Sequence, residues 1–137
     1  MIYTKPIVLI EDNPDDEQLT VRALRRGKIA NEIVIARNGE QALQTLFSMK
    51  VLPSVIILDL KLPKISGLDV LRQIRANAQT QFLPVVILTS SGEDRDIIES
   101  YSLGANSYVQ KPVDFNEFNE AVHRLGLYWI LVNQPPV

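Results

Sequence analysis

The chain has 137 residues, with 14 Lys and Arg against 16 Asp and Glu for a formal charge of −2, which suits one ordinary globular domain and excludes the basic surplus of a nucleic-acid binder. It contains no cysteine, so neither a disulfide framework nor a thiolate metal centre is available. No apolar stretch approaches the roughly 18–20 residues needed to span a bilayer, and Met1–Pro6 lacks a signal-peptide core; the expectation is a cytoplasmic protein with no membrane and no nucleic-acid partner.

Short apolar runs alternate with amphipathic stretches along the chain. Ile7–Ile10 reads as a first strand. Asp15–Arg26 reads as a helix, with Asp15, Asp16 and Glu17 in the first turn and Arg25 and Arg26 in the last, both favourable to the helix dipole; Gly27 is its expected stop. Glu32–Ala36 is a second strand. A helix opening at Asn38 or Gly39 carries Ala42, Leu43, Leu46 and Phe47 at i, i+3/i+4 spacing. Pro53 and Ser54 then launch Val55–Leu58, apolar throughout as a central strand covered on both faces should be.

Leu68–Ala76 supplies a third helix, Val85–Leu88 a fourth strand behind Pro84, and Glu93–Leu103 a helix ended by Gly104. Ser107–Gln110 is the fifth strand and Phe115–Leu125 the last helix, with an extension toward Leu131. The order is (βα)5, with connections long enough for right-handed parallel crossovers. The expected fold is a doubly wound parallel sheet of strand order 2-1-3-4-5, flavodoxin-like, whose ligand crevice lies at the carboxyl ends of the strands beside the switch between strands one and three.

That crevice is where the chemistry falls. Glu11 and Asp12 follow strand one, Asp59 follows strand three, Thr89 follows strand four and Lys111 follows strand five. Gathered carboxylates repel unless something neutralises them, and a hard cation such as magnesium takes oxygen ligands, one or two carboxylates among them. Asp12 and Asp59 would bind it directly and Glu11 through water. Asp59 is also the candidate nucleophile, since a carboxylate can attack a phosphoryl group and hold it as an acyl phosphate. Thr89, with Ser90, Ser91 and Gly92 behind it, offers donors to phosphoryl oxygens, and Lys111 offers a point charge. Each residue has a plainer explanation: Asp-Asn-Pro is good turn and cap chemistry, Thr89 suits a strand, and Lys111 suits an exposed loop. What favours the chemical reading is that all of them share one sheet edge. No G-x-x-x-x-G-K-[ST] cradle is present, and the single histidine, His123, reads as a helix-surface residue.

Over essentially its full length the chain resembles a response-regulator receiver domain of two-component signalling. Glu11-Asp12, Asp59 within Leu58-Asp59-Leu60-Lys61-Leu62-Pro63, Gly67, Thr89 and Lys111-Pro112 stand in the family's order, with 30 residues from Asp59 to Thr89 and 22 from Thr89 to Lys111. The resemblance implies that Asp59 is the phosphoacceptor, that Glu11, Asp12 and the backbone carbonyl of Lys61 serve a Mg2+ site, and that Thr89 and Lys111 contact the phosphoryl group. It implies a switch formed by Thr89 and Tyr108, and a cis Lys111-Pro112 bond. The Glu-Asp-Asn-Pro-Asp-Asp opening, the stretch Asn77–Phe82 and Tyr128-Trp129 look most like the stand-alone regulators of cyanobacterial and bacterial phytochromes, which makes a sensor histidine kinase, in particular a phytochrome, the expected donor.

One receiver is expected, with a core over about 5–126, an apolar extension over 127–137 and no output domain. Leu125, Leu127, Tyr128, Trp129, Ile130, Leu131 and Val132 form more apolar surface than one helix face can bury. Such patches mark interaction sites, and a homodimer using Tyr128, Trp129 and Leu131 is the expectation. Two other functions share the acidic cluster. An aspartate-nucleophile phosphohydrolase would want a second Asp two residues after the nucleophile, where this chain has Lys61; a phosphorylation-independent adaptor would be favoured by loss of Asp12, Asp59 or Lys111, and all three are present.

Overall fold

A computed structural model describes residues 5–111, 114–126 and 128–129. Its elements alternate as β1 (Ile7–Ile10), α1 (Pro14–Arg26), β2 (Ile33–Ala36), α2 (Gly39–Ser48), β3 (Val55–Leu58), α3 (Gly67–Ala76), β4 (Val85–Thr89), α4 (Asp94–Ser102), β5 (Ser107–Gln110) and α5 (Phe115–Gly126). The five strands form one parallel sheet in the order β2-β1-β3-β4-β5, as the sequence predicts.

Because side chains alternate across a strand, each apolar run feeds two cores. Ile7 and Leu9, Val55 and Ile57, and Val86 and Leu88 point to one face, where they meet Ala23 and Leu24 of α1 and Val122 of α5. Val8 and Ile10, Ile56 and Leu58, and Val85 and Ile87 point to the other, against Ala42, Leu43 and Leu46 of α2 and Val70, Leu71 and Ile74 of α3. Double coverage explains why these strands are apolar throughout rather than alternating.

The register sets the height at which each strand ends. Ile10 pairs with both Ala36 and Leu58, Leu58 with Ile87, and Thr89 with Gln110. The backbone N–H of Asp59 donates to the Ile10 carbonyl and that of Lys111 to the Thr89 carbonyl, so the residues just past β1, β3 and β5 lie at one edge of the sheet. At the opposite end Arg75 donates to the carbonyls of Gln81, Leu83 and Gly104 and to Asn106 Oδ1, and Asn106 Oδ1 also accepts from the Val85 N–H. This cluster ties the starts of β4 and β5 together.

Helix starts follow local capping chemistry. The Asn13 side chain accepts from the N–H groups of Asp15 and Asp16, with Pro14 at the first helical position; Asn38 and Ser66 cap α2 and α3 in the same way. Helix α1 stops at Gly27 as expected, but the left-handed residue is Lys28, at φ +63°. The N–H of Lys28 donates to the Arg25 carbonyl and that of Ile29 to the Leu24 carbonyl, a Schellman arrangement in which burial of Ile29 beside Leu24 in the core offsets the cost of a non-glycine there.

Gly67 is required by space. A Cβ at this position would lie 2.3 Å from the Asp59 carbonyl oxygen and 2.6 Å from the Leu60 Cα, and backbone atoms in a sheet edge cannot give way cheaply. Gly67→Ala is therefore expected to destabilise the protein by about 1–3 kcal/mol, the usual range for overpacking, read as a lowered urea midpoint with an unchanged slope.

Candidate functional site

Continuing the pleat one residue past each strand predicts the arrangement of the site. Glu11 follows Ile7 and Leu9, Asp59 follows Val55 and Ile57, and Lys111 follows Val109, which packs on the α1/α5 core. All three should lean toward α1, and they do. The Lys111 Nζ donates to Glu11 Oε1 at 2.7 Å, to Asp59 Oδ2 at 2.9 Å and to Asp16 Oδ2 of α1 at 2.9 Å. The Lys111, Glu11 and Asp59 side chains are buried, whereas that of Asp16 is 31% exposed. Carboxylate oxygens of Glu11, Asp12 and Asp59 lie within 4.8 Å of one another, with Asp12 at the exposed mouth. The backbone N–H of Lys61 donates to the other Asp59 oxygen at 3.1 Å, and that of Asn13 donates to Glu11 Oε2 at 3.3 Å.

Thr89 and Tyr108 take the opposite parity. Thr89 follows Val85 and Ile87, Tyr108 packs on the α2/α3 core, and Tyr108 pairs with Ile87. Thr89 is fully buried and its hydroxyl has no hydrogen-bond partner, a costly state for a buried polar group. The Tyr108 hydroxyl donates to the Ser91 carbonyl at 2.7 Å. Ser91 in turn donates to Asp96 Oδ2 and accepts from the Glu93 N–H, which ties the β4–α4 loop to the first turn of α4.

Charge is unevenly relieved across the cluster. Burial pushes Glu11 up to about 7, and the neighbouring Asp59 charge adds to this, although the Lys111 hydrogen bond pulls the other way. Burial would also raise Asp59, but the hydrogen bond and charge of Lys111, helped by the Lys61 N–H, hold it below the ordinary carboxylate value. Lys111 is raised despite its burial, because three carboxylates accept from it. Asp59 is thus held ionised, and the charge that the cluster leaves unrelieved is expressed in the upward shift of Glu11. An all-oxygen donor set with more carboxylates than cations fits a hard divalent cation.

The structure gathers Glu11, Asp12, Asp59 and Lys111 as the sequence predicts, with Lys61 touching Asp59 through its backbone. Asp16 escaped the sequence reading, because it looks like an ordinary first-turn acid; Ser91 was expected only as a donor to phosphoryl oxygens, whereas its carbonyl receives Tyr108. Lys111 was expected only as a phosphoryl contact, but it also ties β1, β3 and α1 together. Trp129 packs partly on the α1/α5 core, while Tyr128 is 50% exposed; their rings meet edge to face at 5.0 Å. The Lys111-Pro112 bond and Leu131 lie outside the described residues. His123 is exposed on α5, as expected.

Comparison with known proteins gives the family. The response regulator receiver domain model matches residues 7–123. The chain belongs to this family. Response regulator Rcp1 of Synechocystis sp. is 34% identical over 131 residues, covering 92% of this chain and 89% of Rcp1. The Mn2+-bound form of Rcp1 superposes with a TM-score of 0.90 at 33% identity, over 97% of this chain and 99% of that one. The phosphorylated cyanobacterial phytochrome response regulator RcpA superposes with a TM-score of 0.92 at 31% identity, over 98% of this chain and 100% of RcpA. The chain is accordingly a receiver domain, a phosphoacceptor signalling module. Among the described residues no helix is long and apolar enough to cross a membrane.

The raised Glu11 gives a signed pH dependence. In metal-free solution the folded receiver retains a proton on Glu11 that the unfolded chain sheds above its ordinary value of 4.5. Stability from this group is therefore full below that value and is lost as pH rises through about 7. Asp59, shifted the other way, loses its contribution only below its ordinary 3.8, outside that window. Urea midpoints in EDTA should fall between pH 5 and pH 7.5, and Glu11→Gln should flatten the decline.

Proposed function

We propose that Asp59 is the residue that accepts the phosphoryl group, with a sensor histidine kinase as donor, and that the output is protein–protein contact. The observation that carries this is the single buried carboxylate held ionised by Lys111 and the Lys61 N–H. An Asp59 oxygen attacks the phosphorus of a phosphohistidine; the new P–O bond forms as the P–N bond breaks, and the donor imidazole leaves neutral, keeping the proton on its other nitrogen. Lys111 faces the charge that builds on the phosphoryl oxygens, and the unpartnered Thr89 hydroxyl becomes a donor to one of them. Asp12 and Asp59, with Glu11 through water and the Lys61 carbonyl, would hold magnesium. When bound, that ion supplies the neutralisation that lets two anions approach.

The likeness to the phytochrome response regulator RcpA over nearly the whole of each chain supports a phytochrome as the kinase, and a cytoplasmic location is proposed with it. A turnover phosphohydrolase has less support: Lys61 stands where the second catalytic Asp would be needed, and its side chain is exposed. Incubation with magnesium and acetyl phosphate should add the mass of one phosphate, read by intact mass spectrometry and abolished in Asp59→Asn. An unmodified wild type would favour a phosphorylation-independent adaptor, and rapid release of many phosphates per chain would favour the enzyme.

A homodimer through the C-terminal region is also proposed, on the exposure of Tyr128. Trp129 is partly spent on the protein's own core, so Tyr128 is the residue to test. Light scattering should give a dimer mass for the wild type and a lower mass for Tyr128→Ala at equal concentration; a monomer in both would refute it.

A further inference from the structure

We infer that Asp16 is a positioning residue for phosphoryl transfer: from the first turn of α1 it anchors the Lys111 ammonium so that its remaining N–H groups stay aimed at the phosphoacceptor and the incoming phosphoryl oxygens. This rests on the reading of Asp59 as the acceptor and adds a residue to that site.

An ammonium has three donors, and here all three are engaged, by Glu11, Asp16 and Asp59. The three acceptors are not equivalent. Asp59 changes during the reaction: once an oxygen carries the phosphoryl group, the side chain is no longer a full carboxylate and its hold on Lys111 weakens. Glu11 belongs to the group of carboxylates close enough to share a cation, together with Asp12 and Asp59. Asp16 lies outside that group, so it alone of Lys111's partners has neither a metal nor a phosphoryl duty. It keeps the same contact before and after transfer.

Its placement is rigid at little cost. The Asp16 N–H donates to Asn13 Oδ1 at 3.1 Å, beside that of Asp15 at 2.9 Å, which fixes the turn from which the carboxylate projects. The side chain stays partly in water, so its charge is not forced out of solvent as that of Glu11 is. A lysine has a flexible four-carbon stem, and without this anchor the ammonium would be free to swing away from β3 whenever Asp59 or Glu11 is engaged elsewhere.

The test compares wild type, Asp16→Ala, Asp16→Ser and Asp16→Asn at saturating magnesium across a range of acetyl phosphate concentrations, with circular dichroism to confirm folding. Loss of one charge-assisted anchor should lower the maximal phosphorylation rate about tenfold in Asp16→Ala and Asp16→Ser with little change in the half-saturating concentration. Asp16→Asn keeps an acceptor oxygen in place and should return to within about threefold of wild type. In metal-free protein, the Lys111 ammonium cross-peak in a 1H–15N spectrum should be sharp in wild type and Asp16→Asn and broadened in Asp16→Ala. Truncated variants as fast as wild type overturn the inference, and so do variants that are all faster, which would make Asp16 an electrostatic brake. Equal slowing in Asn and Ala also overturns it, since charge alone would then be at work. A wild type that takes no phosphate would remove the underlying reading instead, and the cross-peak comparison would still decide whether Asp16 anchors Lys111.

Discussion

One buried ammonium organises this protein. Lys111 joins the end of β5 to the ends of β1 and β3 and to the first turn of α1 through three carboxylates. A buried charge is tolerable only when it is paired and its donors are satisfied, and each N–H of Lys111 has an acceptor. The converse does not hold for the acids. Four carboxylates, those of Glu11, Asp12, Asp16 and Asp59, share the sheet edge with one cation, and the deficit is expressed in Glu11, which is driven toward protonation while Asp59 is held ionised. For the proposed acceptor the asymmetry has a chemical use: it keeps Asp59 charged and leaves a standing demand for positive charge beside it.

The fold supplies this arrangement through parity and height rather than through any special loop. Parallel strands paired in a level register end at the same edge, and the alternation that sends odd positions of β1 and β3 toward α1 also turns Glu11 and Asp59 toward Lys111. Small devices then hold the edge in place. Asn13 fixes the entry to α1, and Gly67 lets α3 begin against the Asp59 carbonyl, where no side chain would fit.

Much of this was legible in the sequence, because long-range order in such a sheet is written locally. Five apolar runs, each followed by a polar residue, suffice for strand order class, sheet edge and the set Glu11, Asp12, Asp59 and Lys111; boundaries moved by a residue or two, as with Thr89, which lies within β4 rather than after it. Asp16 was not legible. An acid in the first turn of a helix is fully accounted for by the dipole, and nothing local shows that α1 lies over the end of β5 rather than elsewhere. The sequence offered Ser91 only as a donor; its contact with Tyr108 was hidden because the group involved is a backbone carbonyl. In the tail, composition marks excess apolar surface but not which ring turns inward; Trp129 does, and Tyr128 does not.

The same parity separates the chemistry from what can report it. Glu11, Asp59 and Lys111 face α1, whereas Thr89 and Tyr108 belong to the other side of the sheet, in line with α4. Thr89 is the one described strand-end residue whose side-chain polar atom is buried and unpartnered, so its conformation is not locked by a bond that would have to break. Tyr108, on the neighbouring strand, is tied through its hydroxyl to the Ser91 carbonyl, and Ser91 is tied to Asp96 in the first turn of α4. A new acceptor near Asp59 would give the Thr89 hydroxyl its first partner, and any shift of the β4–α4 loop that follows must pass through the Ser91 contacts to Tyr108 and α4. Lys111 spends all three of its donors on the acidic side, and the side that can respond is the one on which a hydrogen bond remains unmade.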